Sequence, residues 1–204
     1  MSPDLFLTSD EWPYTKAKTS VLLAAASVIR ELGPRSATLK NIAHRAGITE
    51  PAIFRHFNGV DGLFAGLFSV CELFYKKTAQ IYAEAKPGLD GYLASTRGAL
   101  GLMASFGDFS YLIVNSNQVF SGYEELKART KELRAHDRSF GIGGLDQLLE
   151  RGEIKAEVPL ETVGLALMGM LHMTMVAWLE SEPQFDLVEV GLARISSFLP
   201  LVRA

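Results

Sequence analysis

The sequence predicts an all-α protein, on three observations. Apolar residues recur at spacings of three and four through most of the chain, the period of a helix with one buried face. No stretch alternates polar and apolar residues as a half-buried strand does. The segment Thr38–Phe57, TLKNIAHRAGITEPAIFRHF, meets the demands of a helix-turn-helix. Ala43 lets two helices approach, Gly47 makes the corner between them, and Ile53 closes the small core. Leu39, Ile42, Ala43 and Ala46 share one side of its first helix. Thr49 is placed to cap the second, Pro51 is tolerated in that helix's first turn, and Ile53 and Phe57 lie four apart to pack inward.

The remaining elements follow in order. Residues 1–14 read as a flexible arm, with Pro3 and Pro13 and no periodicity. Lys16–Leu32 is the first helix, striped by Val21, Leu22, Ala25, Val28 and Ile29 and stopped by Gly33-Pro34. Beyond the helix-turn-helix, Asn58 is expected to cap a long helix reaching about Ala85, with Asp61 completing a partial capping box. Phe64, Leu67, Phe68, Cys71, Phe74, Tyr75, Thr78 and Tyr82 form its apolar face. Leu89–Ser105 and Phe109–Phe120 read as two shorter helices. Tyr123–Glu150 reads as a longer one, expected to be interrupted at Gly141, Gly143 and Gly144. Glu161–Leu179 and Asp186–Leu199 complete the chain. The domain reading is an arm (1–14), a three-helix helix-turn-helix domain (15–60) and a larger helical domain (61–204).

Composition narrows the function. The 204 residues are 48% hydrophobic with a mean hydropathy of +0.15, apolar enough to suggest surface covered in an oligomer or lining a cavity. A single cysteine, Cys71, leaves no disulfide framework and no cysteine metal site. The acidic N-terminus is not a signal peptide, and a cytoplasmic location is expected. Net charge is −3, but it is unevenly spread. Residues 16–58 carry seven Lys/Arg against Glu31 and Glu50, whereas residues 59–204 carry thirteen against eighteen acids. A basic head on an acidic body suits a chain that meets phosphate at one end.

Enzyme chemistry finds little support, and no cofactor is expected. His44 and His56 have no metal-ligand partner at helical spacing, and no nucleophile elbow, phosphate-cradling glycine loop or HExxH motif occurs. The body is instead rich in aromatic and sulfur residues. Its candidate ligand contacts are Phe68, Tyr75, Tyr92, Met103 and Phe109, with polar residues embedded in apolar runs: Arg97, Tyr111, Asn115, Gln118 and His172. The stretch Val163–Leu179 contains no charge and approaches the length of a membrane span. Glu161 and Glu180 bracket it and no Lys or Arg occurs from 156 to 193, so it reads as a helix with core on one side and a partner on the other.

Residues 21–57 resemble the DNA-binding domain of the TetR family of bacterial transcriptional regulators. The pattern runs without a gap through VLLAAASVIRELG, ATLKNIAHRAGI and TEPAIFRHF. The resemblance implies a ligand-responsive regulator, here a repressor. It would bind a palindromic double-stranded operator as a homodimer and be released by a largely apolar small molecule. The last two helices (about 160–179 and 186–199) would form the dimer interface, and no membrane is involved. It places Thr38, Lys40, Thr49, Pro51, Ala52, Phe54, Arg55 and His56 beside DNA. Three positions depart from the family pattern. Phe54 stands where a tyrosine is usual, Val60 where a lysine is frequent, and Glu50 where a basic or small residue is common. Each removes or opposes a phosphate contact. The alternatives are a helical ligand-binding or scaffold protein whose specific DNA binding is weakened or lost, and a small helical enzyme.

Overall fold

The computed structural model describes residues 12–155 and 159–199, with residues 138–142 described by their backbone alone. It contains α1 (Lys16–Leu32), a 3-10 turn (Pro34–Ser36), α2 (Leu39–Ala46), α3 (Glu50–Phe57), α4 (Val60–Ala83) and α5 (Leu89–Ser105). There follow α6 (Phe109–Val114), α7 (Ser116–Val119), α8 (Glu124–Glu150), α9 (Leu160–Glu180) and α10 (Leu187–Phe198). The described residues are helical or connecting, as the periodicity predicts. They divide into two compact units. One holds the described residues up to Phe74 with Ser105–Glu132, the other Tyr75–Ala104 with the described residues after Glu132.

In the first unit Thr15 caps α1, and Leu22, Ala25, Ala26 and Ile29 on its inner face are fully buried. Leu63, Leu67 and Phe68 of α4 are fully buried, as are Leu112 and Phe120, and Phe68 is edge-on to Phe120 at 5.4 Å between ring centres. Phe64 stacks on Tyr123 at 4.5 Å. Of the expected arm, residues 1–11 lie outside the described residues, but Trp12 is buried. Its indole N–H donates to Thr19 Oγ1 at 2.6 Å, and its ring lies 6.0 Å from that of Phe109. Arg30 of α1 pairs with Asp108, the residue before α6, at 3.2 Å.

Two expectations in this unit need correction. Asn58 does not open the long helix. It closes α3 in the left-handed conformation (φ 55°, ψ 38°), its N–H donating to the Phe54 carbonyl. The carbonyl of Gly59 accepts the first bond of the next helix, from Leu63 N. Asparagine tolerates φ > 0 better than other side chains, which suits it to either end of a helix. Phe109–Phe120 is not one helix either. The chain breaks at Asn115, whose Nδ2 donates back to the Tyr111 carbonyl at 3.1 Å. A side chain that bonds nearby backbone competes with helix continuation.

The second unit is built on Tyr92, Leu145, Leu148, Ile154, Val163, Leu167, Ile195 and Leu199. Here α8 runs unbroken through Gly141, Gly143 and Gly144, against expectation. Gly144 faces the Tyr92 ring, where a Cβ would approach Cδ2 to 3.0 Å. The missing side chain serves packing, not a bend, and Leu145 and Leu148 anchor the turn that follows. Gly191 of α10 is closer still: a Cβ would sit 2.6 Å from Leu100 Cδ1. The carboxylate of Glu153 accepts the Leu89 N–H at 2.7 Å and satisfies an orphan donor at the start of α5. Helix α9 is long and apolar enough to cross a bilayer by composition, yet its most apolar window is only 28% buried, and Leu165 and Met173 stand exposed.

Candidate nucleic-acid interface

The outer face of α2 and α3 is assembled from local rules. Thr38 caps α2, its Oγ1 accepting the Asn41 N–H at 3.2 Å. Because that hydroxyl is used as an acceptor, its own proton is left to donate outward. Asn41 Nδ2 donates to the Ser36 carbonyl at 2.8 Å and ties the helix start to the preceding turn. Gly47 ends α2 at φ 67°, ψ 29°, and Ile48 N–H returns to the Ala43 carbonyl at 3.0 Å. This left-handed corner is what a glycine supplies without strain. Ile42, Ala43, Ile53 and Phe57 are buried behind it.

Burying Ile53 and Phe57 decides what α3 shows to solvent. Pro51, Phe54, Arg55 and His56 are exposed, and Ala52 is half-buried. Thr49 precedes the helix without a side-chain capping bond, so its hydroxyl has no role within α3. Lys40 is exposed on α2. All eight DNA-facing candidates thus belong to one stretch of the first unit. Lys18 is partly engaged already, its ammonium 5.7 Å from the centre of the Phe57 ring. Arg45 is committed elsewhere. It forks onto Glu31 of α1, donating to Oε1 at 2.8 Å, and also reaches the Ser27 hydroxyl. The hydrogen bond from Arg45 is the main reason the Glu31 carboxyl falls to about 2. This pair braces α2 against α1.

Sequence reasoning did not find the shape of this face. Leu39, Glu50, Pro51, Phe54 and Arg55 surround an open depression of about 500 Å³. Leu39, on the side of α2 shared with Ile42 and Ala43, is half-buried and lines part of that depression. The available signal was an apolar residue directly after the Thr38 cap, one turn from any core partner.

The candidate ligand contacts divide between the two units. In the first, Phe68 and Phe109 are fully buried in aromatic packing, Tyr111 and Asn115 are half-buried, and Gln118 is exposed. The guanidinium of Arg129 lies 4.7 Å from the Phe68 ring centre and pairs with Glu72. Ser116 Oγ, at the break after Asn115, is the only buried side-chain oxygen or nitrogen among the described residues without a hydrogen bond. In the second unit Tyr92 and Met103 are buried, Tyr75 and His172 are half-buried, and Arg97 is exposed and paired with Glu189 at 2.8 Å. Burial and the nearby Arg134 both lower the pKa of His172. A group the sequence did not single out lies in this unit too. Burial raises the Asp137 carboxyl to about 6, partly offset by Arg134 and His136. Burial also pushes the Tyr82 hydroxyl up to about 12, with Asp137 adding to it and a hydrogen bond with Thr96 opposing. Among the described residues no cluster of three or more His, Cys, Asp or Glu side chains could hold a metal ion.

Comparison with known proteins bears on this geometry. The family model described as "Bacterial regulatory proteins, tetR family" matches residues 21–67, which span the last twelve residues of α1, both helices of the motif and the start of α4. The HTH-type transcriptional repressor BepR of Brucella suis biovar 1 (strain 1330) is 29% identical over 195 residues, 93% of each chain. Both findings support a TetR-family transcriptional regulator. Solved structures share the fold over nearly all of the chain's length. The MbdR regulator from Azoarcus sp. CIB has a TM-score of 0.75 at 18% identity, covering 90% of this chain and 97% of that one. FadR from Bacillus subtilis, solved in complex with stearoyl-CoA, has a TM-score of 0.66 at 19% identity, covering 89% and 97%.

Proposed function

We propose that the protein is a repressor that binds a near-palindromic operator as a homodimer and leaves it when a largely apolar small molecule binds. The observation that carries this is the sorting of α3. Ile53 and Phe57 are buried, while Pro51, Phe54, Arg55 and His56 stand on one exposed surface beside the cap of α2. In the proposed complex α3 enters the major groove. Arg55 takes guanine O6 and N7 or a phosphate, and Ala52 meets a thymine methyl. Thr38, Lys40, Thr49 and His56 fix the register on the backbone. Residues 15–60 serve as the DNA-binding domain and 61–204 as the effector and dimerisation domain. Two copies of α3, one per protomer, occupy successive grooves about one helical turn apart.

The dimer is proposed to form through α9 and α10, which suits the uncovered apolar surface of α9. The effector reading rests on the aromatic body and on Ser116 Oγ, a buried hydroxyl that a ligand could satisfy. Tyr111 and Asn115 lie within the same short stretch. Release follows from population shift: operator affinity falls by the ratio of the effector's affinities for the free and DNA-bound conformations. Because the FadR structure holds stearoyl-CoA, a long-chain acyl thioester is the first effector to test. The protein would act in the cytoplasm, where the operator is.

The test is a salt titration on DNA from the chain's own upstream region, with wild type and Arg55→Ala. Wild type should lose affinity steeply with salt, since several phosphates are neutralised per dimer. Arg55→Ala should weaken operator binding by about tenfold or more while the dimer persists. Unchanged affinity and sequence preference would remove Arg55 from the interface. A second reading, a helical ligand-binding protein with lost operator specificity, draws on Glu50, Phe54 and Val60. It predicts no preference for any sequence at any salt concentration.

A further inference from the structure

The acid at the head of α3 is out of place on a phosphate-binding surface. Glu50 is exposed, and among the described residues it makes no ion pair. It sits in the first turn of α3. It rims the depression whose remaining walls are Leu39, Pro51, Phe54 and Arg55. Three of those walls are apolar. Phe54 is half-exposed, at 53%, and its ring edge lies against Gly59, where a Cβ would meet Cε2 at 3.4 Å.

An ionised carboxylate on this surface can be accommodated only opposite a hydrogen-bond donor. The major groove offers two, the adenine 6-amino and the cytosine 4-amino groups. Adenine places the N7 lone pair beside its amino group, which repels a carboxylate. Cytosine places a C–H there, which does not. The apolar walls are matched by a thymine 5-methyl group.

We propose that Glu50 is a base-reading residue that accepts a hydrogen bond from the 4-amino group of a cytosine in each operator half-site, with Leu39, Pro51 and Phe54 receiving the methyl group of a neighbouring thymine. The inference rests on the reading of α3 as the recognition helix and extends it to a residue otherwise counted against DNA binding. It assigns Glu50 to specificity. Affinity comes from the basic residues around it.

The experiment is in vitro selection from a randomised duplex library with the full chain, as wild type, Glu50→Ala and Glu50→Gln, each checked for an unchanged thermal transition. Wild type should select a C·G pair at one fixed position per half-site, by about tenfold or more over other pairs. Glu50→Ala should lose selection at that position alone. Glu50→Gln should move it toward adenine, because an amide can bond both N6 and N7. Replacing the adjacent thymine by uracil should weaken wild-type binding several-fold. If Glu50→Ala keeps the wild-type preference at every position, Glu50 reads no base and the proposal fails. A general gain in affinity would then mark Glu50 as a repulsive charge, and a lowered melting temperature alone would mark it as a helix stabiliser. Failure of wild type to select any sequence overturns the DNA-binding reading itself, an outcome distinct from a wild type that selects without using Glu50.

Discussion

Ile53 is where fold and function meet, and truncating it gives a calculable result. The side chain is fully buried behind the exposed face of α3, in the same small core as Ala43 and Phe57. Ile53→Ala deletes three carbons. At about 0.8 kcal/mol per buried CH₂ the transfer loss is about 2.4 kcal/mol. A core of short helices held by Gly47 and Asn58 can collapse only partly onto the space, so a cavity cost is added, and the total should be about 3–4 kcal/mol. For a chain of this length that corresponds to a fall in melting temperature of about 6–16 °C. Ile53→Val deletes one carbon and should cost about 1 kcal/mol. Thermal and urea unfolding followed by circular dichroism measure both. The graded pair is the test. If Ile53→Ala stays within 1 kcal/mol of wild type, or Val costs as much as Ala, then Ile53 does not close the core and the orientation of α3 derived from it is wrong.

Two other outcomes follow from the same structure. Gly47→Ala should lose about 1–2 kcal/mol in urea unfolding from strain at φ 67° alone, since an added Cβ meets nothing within 4 Å; a neutral result would show that the corner can relax. Asp137 keeps its proton to about pH 6 when folded, against an ordinary value of 3.8. The folded state therefore holds a proton that the unfolded chain has lost, and stability should fall as pH rises from about 4 to 6 and stay reduced above. Melting temperatures across that range should show this penalty, at most about 3 kcal/mol, and Asp137→Asn should remove it; equal pH profiles for the two proteins would refute it.

The parts of the fold legible in the sequence are those where local chemistry and tertiary packing agree. Lys16–Leu32 is read with its boundaries because an unbroken apolar stripe ends at Gly33-Pro34. The helix-turn-helix is read from Ala43, Gly47 and Ile53 because each is required by its own backbone or contact. The misreadings have tertiary causes. Asn58 suits either end of a helix, and only the neighbouring Gly59 carbonyl settles which. Spacing alone makes breaks of the glycines of α8, but the Tyr92 ring on which Gly144 rests comes from another helix. Trp12 falls in the stretch that reads as an arm, since its partners, Thr19 and Phe109, cannot be paired with it from spacing. In the candidate interface the exposed residues were legible from the two buried ones. The depression was not, since Leu39 enters it from a different helix.

The uncovered side of α9 has a consequence for how much of the protein a cell must hold. Whatever seats on that apolar surface binds the folded chain and not the unfolded one, and so stabilises it by mass action. If the occupant is a second copy, survival of each chain depends on the abundance of its own kind. Dilution at division would then lower the folded fraction as well as the bound fraction, and the response to a falling dose would be steeper than simple titration of an operator. A truncated copy that retained α9 and α10 but lacked the α3 surface would be stabilised at the expense of intact partners and act as a dominant inhibitor.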